Sequence, residues 1–141
     1  MIDIIPAIQV TSSALNAERI RSDAIAQNLA FAMTPRSPGG QIYQRQKVIF
    51  ENVLQQYAGA DGLPGVSSPG MVNVRVESDT RPPRLVADPA NPGRMMEVPD
   101  INVHQEMADL IVSQRSYEAN LAVAKSARSM AMQTLSIGRR S

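Results

Sequence analysis

The sequence predicts a mainly α-helical chain with a small β insertion, in which long N- and C-terminal helices pair antiparallel as a coiled-coil-like rod and short strands and loops lie between them. Three observations predict this. Nine of the ten prolines and seven of the eight glycines fall between Pro35 and Pro99, so both ends of the 141-residue chain permit helix and the middle does not. Apolar residues at the two ends recur in alternating steps of four and three. In the middle, "MVNVRVES" alternates Val72, Val74 and Val76 with polar residues, the period of a strand with one buried face.

Residues 1–34 form the first region. From about Pro6 to Met33 a seam runs through Ile4, Ile8, Leu15, Ile25, Leu29 and Ala32, interrupted by Thr11, Glu18 and Ser22. Asp3 and Pro6 are start signals, and Pro35 is a stop signal because the residue before proline is biased away from helix. Residues 35–100 form the middle region. "QIYQRQKVIFENV" is strand-like around Val48 to Phe50, "RLVAD" is a candidate third strand, "DPANPG" is turn chemistry, and the Gly/Pro/Ser-rich residues 58–70 read as a mobile loop.

Residues 101–141 form the last region, a helix pairing with the first. Asn102 can cap it, with Gln105 placed to reach back as in a capping box. Glu106 and Asp109 suit the positive end of the helix dipole, and Arg139 and Arg140 the negative end. One stripe contains Val103, Met107, Leu110, Gln114, Tyr117, Leu121, Ala124, Arg128, Ala131 and Leu135. A second, roughly opposite, contains Val112, Ala119, Val123, Met130 and Ile137. A helix from about 103 to 136 is about 50 Å long, whereas a compact globule of this chain length is about 37 Å across. The second stripe is therefore expected to meet other subunits. Met107, Met130 and Met132 either adapt to such neighbours or fill gaps.

Composition excludes several function classes. A formal net charge of +1 supplies no clustered basic footprint for nucleic acid. With no cysteine there is no disulfide or thiolate chemistry. The N-terminus lacks the basic and apolar regions of a secretory signal, and no window spans a bilayer. His104 is the single histidine. Its five-residue spacing to Asp109 does not fit helical metal ligation, no second imidazole exists, and a first-turn solvated residue is expected there. No nucleophile elbow or phosphate loop is present. No catalytic, cofactor-binding or metal-binding residue, no cofactor and no small-molecule substrate is expected.

"QRSYEANLAVAKSARSMAMQTLSIG" resembles the C-terminal signature of the bacterial flagellar axial proteins, and "AIAQNLAFAMTP" is similar to their N-terminal Asn-Leu-Ala-Asn motif. The short length, "LVADPANPG" and "VPDINVHQEMADLIVSQRSYEAN" resemble the proximal rod proteins among them. Asn28, Leu29 and Ala30 match the first motif, and Arg115, Tyr117, Ala119 and Asn120 the second. Phe31 replaces the second Asn, which suggests that the helix continues toward Met33. The resemblance implies a structural subunit of the basal-body rod in the periplasm, exported without a cleaved signal by the flagellar type III apparatus. Its partners would be copies of itself and other rod subunits. Residues expected at subunit interfaces or in helix packing are Asn28, Leu29, Arg115, Tyr117, Ala119, Asn120, Leu121, Val123, Met130 and Ile137. Tyr117 and Asn120 could serve either role. The alternatives are another flagellar rod subunit, or a non-polymerising coiled-coil adaptor or export chaperone.

Overall fold

A computed structural model of the chain describes residues 4–36, 39–53 and 71–138. Its elements are helix α1 (Ile4–Phe31), strands β1 (Gln46–Val53), β2 (Met71–Ser78), β3 (Arg84–Ala87) and β4 (Met95–Val98), and helix α2 (Val103–Gly138). The chain is thus mainly helical, with β1 paired to β2 and β3 paired to β4 in two small sheets. It divides into two compact units, one of Met1–Arg19, Phe50–Arg75 and Gln114–Ser141, the other of Ile20–Ile49 and Val76–Ser113. The expected loop at 58–70 and the basic residues Arg139 and Arg140 lie outside the described residues.

α1 begins before Pro6 rather than at it. A proline in the first turn costs little, because its missing N–H is one the helix could not have satisfied. Nor does α1 continue toward Met33: it ends at Phe31, and Ala32 and Met33 form a turn closed by hydrogen bonds from Ala32 N to Leu29 O (3.4 Å) and from Thr34 N to Phe31 O (3.0 Å). Phe31 stacks on Tyr43, ring centroids 4.8 Å apart, and Pro35 stands just beyond.

Asn102 caps α2 as the sequence suggests. Asn102 Oδ1 accepts from the backbone N–H groups of His104 (3.2 Å) and Gln105 (3.3 Å). β2 matches its sequence pattern in extent, yet Val76 is exposed and Glu77 half-buried, so the one-sided alternation fails at that end. A two-stranded sheet covers a face only where another element lies on it.

β3 and β4 form an antiparallel hairpin, Leu85 opposite Glu97 and Ala87 opposite Met95. The turn and β3 are as the sequence predicts, whereas β4 was not anticipated. Asp88 builds the turn: its Oδ1 accepts from Ala90 N (2.9 Å), its Oδ2 from Asn91 Nδ2 (3.0 Å), and its own N–H donates to Arg94 O (2.9 Å). Gly93 takes the positive φ of 95° that a side chain would resist. The Asn91 amide beside Asp88 holds its carboxyl below the usual range, with the Ala90 N–H adding to the effect.

The buried apolar residues among those described are Ala17, Ala24, Ile25, Ala32, Val98 and Ile101, and all but Ala17 belong to the second unit. Only Ile25 and Ala32 of them come from the α1 seam the spacing predicts. Ile8 of that seam is exposed, and beside the seam Ala17, Ala24 and Asn28 are buried as well. α2 shows a displacement: Met107 is exposed while Glu106 and Ser113 are buried.

Candidate functional site

Glu106, one helical turn into α2, is 1% exposed. A carboxylate so far from water needs its oxygens occupied, and both are. Oε1 accepts from Arg45 Nε (2.6 Å) and also pairs with Arg45 Nη2, while Oε2 accepts from Asn28 Nδ2 (3.1 Å). Both guanidinium nitrogens converge on the single oxygen Oε1, a charge-assisted contact that leaves Oε2 for Asn28.

Asn28, also 1% exposed, carries the network back to the β region. Its Nδ2 donates to Gln46 O (2.8 Å), and its Oδ1 accepts from Gln46 N (2.8 Å) and from the Tyr43 hydroxyl (2.9 Å). The side-chain amide therefore meets the first residue of β1 as a neighbouring strand's peptide would, and every polar atom of Asn28 is used. Burial pushes the Tyr43 phenol above its ordinary value of 10.0, and the charge of Glu106 adds to the shift. Outward from Arg45 the charges continue: Arg45 lies 4.0 Å from Asp79, Arg81 Nε donates to Asp79 at 2.8 Å, and Arg81 approaches Asp100 at 3.6 Å. The hydrogen bond from Arg81 holds the Asp79 carboxyl below its usual value.

A second contact joins the two helices within this unit. The hydroxyls of Ser22 and Ser113 lie 2.9 Å apart. Going from Ser22 to Asn28 advances along α1 while the partners retreat from Ser113 to Glu106 along α2, so the helices run antiparallel at these contacts.

Sequence reasoning missed Glu106, Arg45, Tyr43, Ser22 and Ser113. Glu106 stands in the first turn of α2, at the positive end of the helix dipole as the sequence suggests, but its burial and its pairing with Arg45 and Asn28 were not foreseen. His104, from the same turn, is exposed. A signal did exist: Glu106, Ser113, Asn120 and Ala127 recur every seven residues, one position away from the apolar row the analysis followed.

The remaining site residues fall into two groups. Asn28 is buried, and Leu29, Asn120 and Leu121 are half-buried. Arg115, Tyr117, Ala119, Val123, Met130 and Ile137 are exposed, Val123 at 58%, Met130 at 61% and Ile137 at 70%. Together with Met132 and Leu135 they give the C-terminal part of α2 large apolar side chains in contact with solvent. Such a surface fits protein association better than chemistry. Among the described residues no three His, Cys, Asp or Glu side chains converge to hold a metal ion, and no helix is long and apolar enough to cross a membrane.

Comparison with known proteins places this surface in a context. Residues 93–137 match the family described as flagellar basal body rod FlgEFG protein C-terminal. The chain is 37% identical over 144 residues to the flagellar basal-body rod protein FlgC of Borreliella burgdorferi, covering 93% of this chain and 95% of that protein. It is 32% identical over 133 residues to FlgC of Salmonella typhimurium (92% and 93% covered) and 30% identical over 148 residues to FlgC of Bacillus subtilis (94% and 97% covered).

Proposed function

The chain belongs to the FlgC family of flagellar basal-body rod proteins, and from that premise we propose that it is a structural subunit of the proximal rod, polymerising helically through its terminal helices to transmit torque. The observation that carries this reading is the exposed apolar surface of α2 at Val123, Met130, Leu135 and Ile137, inside the segment that matches the rod family. An amphipathic helix of a finished globule needs one apolar face; a second is supported by neighbours. In this reading the helices pair as a coiled-coil-like unit, and copies of the chain and other rod subunits cover the second stripe. The flagellar type III apparatus exports the chain to the periplasm. Its task is mechanical, in keeping with a structural family.

Val123→Asp tests the reading. In a lone subunit the carboxylate stands in water, so stability should change by no more than about 0.5 kcal/mol. In a polymer it is buried unpaired in every copy, at a cost of several kcal/mol each. The variant should be expressed and exported but fail to build rods, giving non-motile cells. Val123→Ala should be much milder, and Leu121→Asp, at a half-buried position, should disrupt the subunit itself. Normal basal bodies in a Val123→Asp strain would refute the assignment of this face to neighbours.

A further inference from the structure

The helix contact in the second unit has an ambiguity that its small residues cannot resolve. Ser22 and Ser113 meet there through their hydroxyls, and two small side chains fix an axial alignment only weakly. Sliding α1 by seven residues changes the facing angle by only about 20°, so the same rows still meet. In that alternative Leu29 takes the place of Ser22 opposite Ser113, and Asn28 faces Ser113 as well. α1 would move about 10 Å. Residues 32–45, whose described part forms only turns and irregular backbone, can span that distance.

What the alternative cannot keep is the buried charge network. Glu106 would lie beyond the end of α1 and lose Asn28, while Asn28 would leave behind the Gln46 peptide and the Tyr43 hydroxyl that complete its amide. We propose that the Asn28–Glu106–Arg45 cluster fixes the register of α1 against α2, acting as a selector of one alignment more than as a source of stability. Buried polar groups act this way in other helix pairs: an apolar replacement can be equally stable, yet only the polar set penalises misalignment. The consequence for a rod subunit, which rests on the function proposed above, is that every copy presents its exposed apolar rows at the same height.

The absence of cysteine makes a direct test available in the full-length chain. The Ser22→Cys/Ser113→Cys pair reports the observed register, because the hydroxyls it replaces are 2.9 Å apart; the Leu29→Cys/Ser113→Cys pair reports the alignment shifted by seven residues. On mild oxidation of the otherwise unchanged protein, the first pair should close an intrachain disulfide and the second should not. With Arg45→Met/Glu106→Met added, the second pair should close to an extent comparable with the first. With Glu106→Gln alone, which keeps the shape and removes the charge, a smaller but measurable amount should appear. Helix content by circular dichroism identifies a background that has unfolded; if the double replacement does so, Glu106→Gln decides alone. Failure of the shifted pair to close in backgrounds with native helix content overturns the proposal. The cross-link is read within one chain, so its result is independent of whether copies assemble.

Discussion

The first turns of α2, from Val103 to Ser113, and the rest of that helix, from Gln114 to Gly138, solve opposite problems with similar residues. The first stretch holds a buried carboxylate and a buried hydroxyl, each with a partner on α1. The second contains no fully buried residue and exposes Val123, Met130, Met132, Leu135 and Ile137. Polar groups inside and apolar groups outside invert the usual amphipathic arrangement. The comparison teaches that the side chain a helix buries is decided by the partners available. Glu106 is inside with Arg45 and Asn28 completing its hydrogen bonds, whereas Ile137 is 70% exposed.

The most damaging way to break the contrast is Glu106→Ala, which removes one partner of a buried ion pair and should destabilise the subunit by about 3 kcal/mol, seen as a lower urea midpoint. Met130→Ala, in the second stretch, should stay within about 0.5 kcal/mol in the same measurement. Equal effects would erase the distinction between the two stretches. Asn28→Ala comes next, at about 2 kcal/mol, because the Gln46 peptide and the Tyr43 hydroxyl lose their partner. Hydrogen exchange on the dilute subunit sharpens the same comparison: amides of 103–113 should exchange on the order of tenfold more slowly than those of 114–138, and uniform exchange would count against the buried network as an anchor.

The smallest effects are those of pH. The Asp79 carboxyl is held below its ordinary value of 3.8, chiefly by Arg81. The unfolded chain therefore takes up that proton first as pH falls, and the contribution is present above about pH 4 and lost through the acid range below it. Asp79→Asn should flatten that part of the curve of melting temperature against pH. At the alkaline end the sign is also a loss. Tyr43 is raised above 10.0 in the folded chain, so above that pH the unfolded state sheds its proton first and stability declines; Tyr43→Phe should remove that slope.

Much of the fold was legible in the sequence because it is written in local chemistry. Asn102 caps α2 where a side-chain oxygen is needed; Val72 and Val74 mark β2, and Asp88 and Gly93 mark the turn after β3. β4 was not legible, since "MMEV" lacks alternation and owes its strand form to pairing with β3. The end of α1 was misjudged, and Phe31 there stacks on Tyr43, a partner that local sequence does not reveal. The α2 seam was misread by one position for a similar reason, while on α1 the buried Ile25 and Ala32 do lie on the predicted row. Two adjacent rows on α2 have seven-residue spacing, and hydrophobicity selects the row with Met107. Arg45, which sits 61 residues from Glu106 in sequence, selects the other. Candidate site residues were legible as motifs, while their division into inward and outward sets required the folded chain.

The reach of the Asn28 side chain also has a consequence in time. Its partner Gln46 is 18 residues downstream, Glu106 is 78 downstream, and the Ser22 contact to Ser113 spans 91. A chain that emerges N-terminus first therefore presents most of its length before α1 can be completed. Tyr43 and Gln46 can meet the Asn28 amide early, but until Glu106 and Ser113 arrive no contact with α2 supports α1, which has otherwise only its weak intrinsic helicity. Closure over such separations is slow compared with helix growth, so the last third of the polypeptide acts as the trigger for ordering the first.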